Sequence, residues 1–187
     1  MPSVLTHINL ANDILRLNSN LDKYKFIIGT IMPDCIDFSD NKEYRSSHYI
    51  GDNDNIDYMS YLKSGLIENY NYSYHMGYHL HLWFDEKNRT SDISELIKSK
   101  IKSEEQISII KQEILVADLS TLEGIDFDKL RKISVSEFST KLVKKVDEIT
   151  KQIENIKPLT NEFKYLDSDR YLNYIKNLAL KYAGKYL

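Results

Sequence analysis

Three of the five histidines lie in the segment from Tyr74 to Asp85, and the aspartate that ends it follows the last histidine by four residues. The segment contains one glycine and no proline, which predicts a helix over residues 71–87. At about 100° per residue, His81 and Asp85 then lie one turn apart on one face of that helix. An imidazole and a carboxylate placed in this way can hold one metal ion or one polar ligand.

The polar residues that could complete such a site lie upstream. Because every histidine falls within the first 81 residues, the site belongs to residues 1–90, and residues 91–187 form a helical scaffold. We interpret five residues as a metal centre: His7, Asp34, His48, His81 and Asp85. Histidine and carboxylate ligands without a thiolate suit Zn²⁺, Fe or Mn²⁺. Two histidines and one or two aspartates with an open position for water are typical of a catalytic site.

Helices must position these residues, since apolar residues recur at helical spacing and no alternating stretch is long enough to predict a strand. His7 falls in the first turn of a helix that ends at Leu17. Asp34 follows Pro33, which ends a short buried helix over residues 21–31. Residues 35–54 are polar and predict a loop of about twenty residues that contains His48, a length more typical of functional loops than of inert ones.

Further helices are predicted over residues 56–66, 91–102, 107–123, 135–153 and 167–186. The sequence therefore predicts an all-α protein, a multi-helix bundle with a single domain over residues 1–187.

The bulk properties exclude several classes of protein. The 187 residues are 42% hydrophobic and 28% charged, with a net charge of -3, so no strong attraction to nucleic acid is expected. The single Cys35 excludes an internal disulfide. We see no signal peptide and no apolar run of the roughly 18 residues that span a bilayer. We predict a cytoplasmic protein without a transmembrane segment, whose oligomeric state stays open.

Four segments carry a family resemblance, and they occur in this order: Thr6 to Ala11, Gly29 to Asp34, Ser47 to Tyr49 and Gly77 to Asp85. Together they resemble the zinc-dependent phospholipase C family, whose all-α fold is shared with the zinc nucleases of the S1/P1 type. Members of that family carry an early histidine, an aspartate after Gly-x-x-x-Pro, a later histidine and a His-x-x-x-Asp pair on a helix. The resemblance covers about the first 90 residues.

The resemblance implies that Asp34, His48, His81 and Asp85 hold one metal ion. It implies a second ion at His7, with Asp85 as the bridging carboxylate. The implied reaction is hydrolysis of a small phosphoester by a metal-activated water, with Asp34 as the general base.

The chain departs from that family after residue 90. Secreted members complete a three-metal cluster with later histidines, and here no histidine follows His81. A third site would need a carboxylate such as Glu86, Asp118 or Glu123. We therefore expect one or two divalent ions, with zinc as the first choice and iron or manganese as alternatives.

Other interpretations stay open. The His81–Asp85 pair could be a simple hydrogen bond in a non-catalytic metal-binding or structural module descended from this family. A nucleotide phosphohydrolase of the HD-domain kind is a further alternative, although the chain has no His-Asp dipeptide. Tyr74 and Tyr78 share the helix face of His81 and are candidate substrate contacts. The remaining histidines, His75 and His79, are expected beside the site or at the surface.

Overall fold

The structure is a computed structural model that describes residues 3–36, 39–66, 71–156 and 163–187. These residues form ten α-helices: α1 (Val4–Leu17), α2 (Lys23–Ile31), α3 (Asn41–Ser47), α4 (Tyr58–Lys63), α5 (Tyr72–Arg89), α6 (Asp92–Lys100), α7 (Glu104–Thr121), α8 (Phe127–Glu137), α9 (Thr140–Asn155) and α10 (Ser168–Tyr186). A 3-10 helix, Met32–Asp34, follows α2 directly. The described residues contain one isolated β-bridge and no strand, which confirms the all-α prediction.

Side-chain caps decide where most of these helices begin. Every α-helix except α5 follows a serine or an aspartate whose side chain accepts a hydrogen bond from a backbone N–H of the first turn. Such a cap pairs one of the donors that the start of a helix leaves unsatisfied. The caps also account for two errors in the predicted elements.

The predicted loop over residues 35–54 is wrong, because it contains α3. Asp40 accepts hydrogen bonds from the backbone N–H groups of Lys42 and Glu43 at 2.9 and 3.0 Å, which starts a helix in a polar stretch. Helix α3 buries none of its own side chains, yet it ends at the buried His48.

The single helix predicted over residues 135–153 is also wrong. Phe138 is extended, and Ser139 caps a new helix, so the segment divides into α8 and α9. The break lets Phe138 stack on Tyr74 of α5, with ring centroids 5.4 Å apart. Ser134 lies inside α8 and donates its hydroxyl to the carbonyl of Leu130.

Helices α2 and α5 cross with their backbones in direct contact. A Cβ atom at Gly29 would lie 1.9 Å from the carbonyl oxygen of Tyr74, and one at Gly77 would lie 2.0 Å from the carbonyl oxygen of Phe26. Neither position accepts a side chain, so glycine is needed on both helices for this close approach. The crossing determines how close α5, with His81, lies to α2.

The other helices enclose this pair in one large apolar core. Helix α1 packs on α2 and α10, α7 packs on α1 and α10, and the α8–α9 pair reaches α2 through α8. Buried side chains of both predicted halves belong to this core, among them Ile8, Phe26, Phe84, Val146 and Tyr182. A smaller cluster of Ile56, Tyr61 and Leu82 joins α4 to α5.

Asp118 of α7 ties the scaffold half of the chain to the first turn of α1. Its carboxylate accepts hydrogen bonds from the hydroxyls of Ser3 at 2.9 Å, Thr6 at 2.7 Å and Tyr171 at 3.1 Å. Burial raises the pKa of Asp118 to about 6, which these hydrogen bonds oppose only in part. Because His7 lies in the same turn of α1, the scaffold helps to position a predicted ligand.

We expect Gly77→Ala to lower the free energy of unfolding by about 3 kcal/mol, because its methyl group would overlap the backbone of α2. Gly184→Ala is the matched control, since the same methyl group on α10 meets nothing within 4 Å. That control should gain up to about 1 kcal/mol from the better helix propensity of alanine. Urea unfolding measures both variants, and equal stability of Gly77→Ala and the unaltered protein would contradict the backbone crossing.

Candidate metal centre

All five predicted ligands meet at one place. His7 comes from α1, Asp34 ends the 3-10 helix, His48 is the C-cap of α3, and His81 and Asp85 lie one turn apart on α5. Their exposed fractions run from 0% at His48 and His81 to 9% at Asp85, so the cluster is buried. Five polar side chains that are distant in sequence therefore share one site.

Four of these side chains converge on a single point. The Nε2 atoms of His48 and His81 are 3.3 Å apart. Oδ1 of Asp34 lies 3.6 Å from Nε2 of His48 and 4.0 Å from Nε2 of His81. Oδ2 of Asp85 lies 3.9 and 3.5 Å from the same two nitrogens. With bonds of about 2.1 Å, the ligand atoms of a tetrahedral zinc site are about 3.4 Å apart, so these five distances are those of a slightly expanded site.

Hydrogen bonds on the far side of each ring aim both Nε2 atoms at that point. Nδ1 of His81 lies 2.9 Å from the carbonyl oxygen of Thr30, and Nδ1 of His48 lies 3.2 Å from that of Tyr44. A carbonyl only accepts, and the Ser47 hydroxyl, 2.9 Å from Nδ1 of His48, itself donates to the Tyr44 carbonyl, so both Nδ1 atoms donate and Nε2 is the atom that each ring can offer to an ion. A hydrogen bond from the other ring nitrogen to a carbonyl is typical of metal-ligating histidines.

His7 lies against the second oxygen of Asp85. Its Nε2 is 3.1 Å from Oδ1 of Asp85, and its ring stacks on His81 with centroids 3.9 Å apart. Both ring nitrogens of His7 and Oδ1 of Asp85 are buried without a hydrogen-bond partner among the described residues. Three unpaired atoms at one place fit the expected second ion, with Asp85 as the bridge. Ligand atoms of His7, Asp34 and His81 also lie within 4.8 Å of one another.

The charges of the cluster also favour a cation. Burial would raise the pKa of Asp34, but His81 and His48 hold it well below its usual range. Burial would also raise the pKa of Asp85, but His81 outweighs the effect of burial and lowers the pKa of this carboxyl. Burial, assisted by His81, lowers the pKa of His7 to about 3, so this ring is neutral. The two ionised carboxylates place negative charge in the buried site, which favours a divalent ion.

Of the two tyrosines predicted as substrate contacts, Tyr78 supports the cluster. Tyr78 donates its hydroxyl to the carbonyl of Ser47 at 2.5 Å and stacks on Tyr61 with centroids 4.7 Å apart. It therefore holds the residue that precedes His48. Tyr74 packs on Phe138, as described above, and substrate contact by either tyrosine stays a prediction.

Sequence reasoning missed Tyr44. Its ring lies 4.4 Å from that of His48, centroid to centroid, and burial together with the charges of Asp85 and Asp34 raises its pKa. The available signal was its spacing of four residues from His48, which places the two side chains on one face of a helix. The prediction of a loop over this segment concealed that spacing.

The carboxylates considered for a third ion are engaged elsewhere. Asp118 holds the start of α1, Glu86 accepts a hydrogen bond from the backbone N–H of Ile56 at 3.2 Å, and Glu123 pairs with Arg16 at 3.3 Å. None of the three belongs to the groups of possible ligand atoms found among the described residues.

The remaining histidines also lie outside the cluster. Nδ1 of His75 is 2.7 Å from the hydroxyl of Tyr61, and His75 is partly exposed. His79 is buried on another face of α5, with Nδ1 2.8 Å from the hydroxyl of Tyr182. Burial, with a contribution from Lys185, lowers the pKa of His79 to about 4, so it is neutral.

No protein-family model, curated protein or solved structure matches the chain. The family resemblance therefore rests on the order and spacing of the motifs, and the geometry of the cluster is an independent observation. In the part of the chain that the structure describes, no helix is both long and apolar enough to cross a bilayer.

We expect metal binding at neutral pH to release about one proton, because an ion that takes Nε2 of His81 must displace the proton there. Burial alone would lower the pKa of His81, but Asp34 and Asp85 raise it to about 9, so the metal-free ring is protonated at pH 7. Affinity should therefore fall as the pH decreases below 9 and level off above it. Calorimetric titration with zinc, in buffers of different ionisation enthalpy, counts the protons. No release at pH 7 would contradict the assigned protonation.

Proposed function

We propose that this chain is a metal-dependent hydrolase of phosphoesters, with a fold of the zinc-dependent phospholipase C and S1/P1 nuclease type. The observation that carries the proposal is the convergence of the two Nε2 atoms of His48 and His81 with one oxygen each of Asp34 and Asp85. His7, at the other oxygen of Asp85, supports a second ion. Zinc is the first choice, with iron or manganese as alternatives.

Each residue has a defined part in this proposal. His48, His81, Asp34 and Asp85 would hold one ion, and His7 with Asp85 would hold another. A divalent ion would lower the pKa of a bound water and offset negative charge on the phosphoryl oxygens. Asp34 is ionised at neutral pH and its side chain is 11% exposed, and in this proposal it takes the proton of the attacking water.

A small phosphoester suits this site better than a nucleic acid. The cluster is exposed mainly at Asp34 (8%) and Asp85 (9%), so little of it faces solvent. The net charge of -3 gives no general attraction for a polyanion. A cytoplasmic location, expected from the sequence, is part of the same proposal.

A non-catalytic metal-binding module is the second candidate, and the donor count favours it. Four protein donors around one point would complete a tetrahedral ion, and structural zinc sites are closed in this way. The two candidates differ in one respect: a hydrolase needs a coordination position open for water, and the second ion at His7 and Asp85, with two protein donors, would leave one open.

Metal content is the first test. We expect purified protein to hold one or two equivalents of zinc, iron or manganese, and Asp85→Ala, which removes the ligand common to both ions, to lose them. His75→Ala is the control, because it removes a histidine of the same helix that lies outside the cluster. Elemental analysis measures all three proteins. An unchanged metal content in Asp85→Ala, or no metal in the unaltered protein even after reconstitution, would exclude the proposed centre.

Turnover separates the two candidates. We expect the metal-loaded protein to hydrolyse p-nitrophenyl phosphate or its bis ester, and Asp34→Asn to lower kcat by about 10²-fold or more, because the amide cannot accept a proton. Absorbance of nitrophenolate reports the rate, and circular dichroism checks that the variant stays helical. Full metal content without turnover would favour the non-catalytic module.

A further inference from the structure

A cavity of about 330 Å³ lies between α1, α7 and α10. None of the five proposed metal ligands lines it. Asn9, which does, follows His7 by two residues on α1, and two residues turn a helix by about 200°, so the two side chains leave α1 on opposite sides. The volume is at the lower end of the range for small-molecule sites. At about 30 Å³ for each non-hydrogen atom, the share of one water molecule in the liquid, a ligand of about ten such atoms would fill it.

The walls of this cavity are largely apolar. Leu172, Ile175 and Ala179 recur at helical spacing on α10 and form one wall. Ile175 and Ala179 are buried, so they lie deep in the cavity, whereas Leu17 of α1 and Leu180 of α10 are about half exposed and form its rim. Single exposed leucines are common on protein surfaces, but these two flank one cavity. A hydrocarbon chain that entered between α1 and α10 would cover both.

Asn9 brings one unpaired polar atom to the deep part of the cavity. The residue is buried, and its Nδ2 donates to the backbone carbonyl of Asp118 at 2.6 Å. Because a carbonyl only accepts, this hydrogen bond fixes which end of the amide faces Asp118. Oδ1 of Asn9 is left buried without a hydrogen-bond partner among the described residues. Buried polar atoms are nearly always paired, so this acceptor calls for a group that donates to it.

The charged groups around the cavity balance one another. Asp13 lies one turn after Asn9, and Arg16 pairs with Asp13 at 3.5 Å and with Glu123 at 3.3 Å. Burial raises the pKa of Asp13, and both Arg16 and Lys176, which also line the cavity, oppose that rise. Two acidic and two basic side chains leave no net charge, so the surroundings favour neither an anion nor a cation.

We propose that this cavity binds a small uncharged amphiphile, with a hydrocarbon chain of about eight carbons between α1 and α10 and a hydroxyl or amide N–H that donates to Oδ1 of Asn9. The apolar wall and the two rim leucines select the chain. The unpaired oxygen and the balanced charges select an uncharged donor as the head group. The site is separate from the metal centre, so the proposal does not rest on the proposed hydrolase.

Matched ligands test the chemistry of the site. n-Octanol and methyl heptyl ether are isomers, and only the alcohol can donate a hydrogen bond. We expect n-octanol to give saturable amide shifts in α1 and α10 in an NMR titration of the full chain, with a Kd of about 1 mM or tighter. The ether should bind about fivefold more weakly or worse, because it leaves Oδ1 of Asn9 unpaired. Octanoate and octylammonium, with charged head groups, should also bind more weakly than the alcohol.

Two variants locate the contacts. Asn9→Leu removes the acceptor at nearly the same volume and should bind the alcohol and the ether equally, with circular dichroism as the check of its fold. Leu180→Ser is safe for the fold, because the side chain is half exposed, and should weaken n-octanol binding about threefold or more. Val135→Ser is the matched control, since Val135 is an exposed apolar residue of α8 that does not line the cavity.

Four outcomes would overturn the proposal. No saturable shift in α1 and α10 would show that the cavity holds only water. Equal affinities of the unaltered protein for n-octanol and the ether would reject the hydrogen bond to Asn9. Tighter binding of octanoate or octylammonium would reject an uncharged head group. A dimer seen by sedimentation, and lost in Leu180→Ser, would show that a second copy of the chain covers the rim.

Discussion

The contact of α2 and α5 at Gly29 and Gly77 is the constraint on which the rest of the structure depends. It brings the backbone of α2 within reach of the side chains of α5, so the carbonyl of Thr30 can accept the hydrogen bond that orients His81. The 3-10 helix continues α2 without a loop and places Asp34 on the same side. One helix crossing therefore supplies a carboxylate and also aims the imidazole that faces it.

The scaffold half supports the cluster although it supplies no ligand. Asp118 of α7 fixes the turn of α1 that contains His7, and Lys141 of α9 pairs with the helix that ends at His48. Ligands and supports are thus divided between the halves of the chain. Such supporting contacts fix the orientation of each ligand, and the geometry of a site therefore depends on them as well as on the ligands.

Local patterns in the sequence indicated which residues form the cluster, but not the contacts that support it. The placement of His81 and Asp85 one turn apart follows from helical periodicity, and Pro33 marks the end of a helix before Asp34. Helix α3 was missed because its cap, Asp40, lies in a stretch of polar residues with no apolar period. The break at Phe138 was missed because both flanking helices are amphipathic. The glycine crossing depends on contacts between distant segments, which no local pattern records.

Buried polar atoms without a partner make the fold around the candidate centre costly. The unpaired nitrogens of His7 lower stability, and an ion that bound only the folded chain would restore it. At a free-ion concentration 1,000 times Kd, this linkage amounts to about 4 kcal/mol, a large share of the stability of an ordinary domain. Proteases in the cell remove unfolded chains continuously. The amount of this protein in a cell would then follow the supply of its metal, independently of how much of it is synthesised.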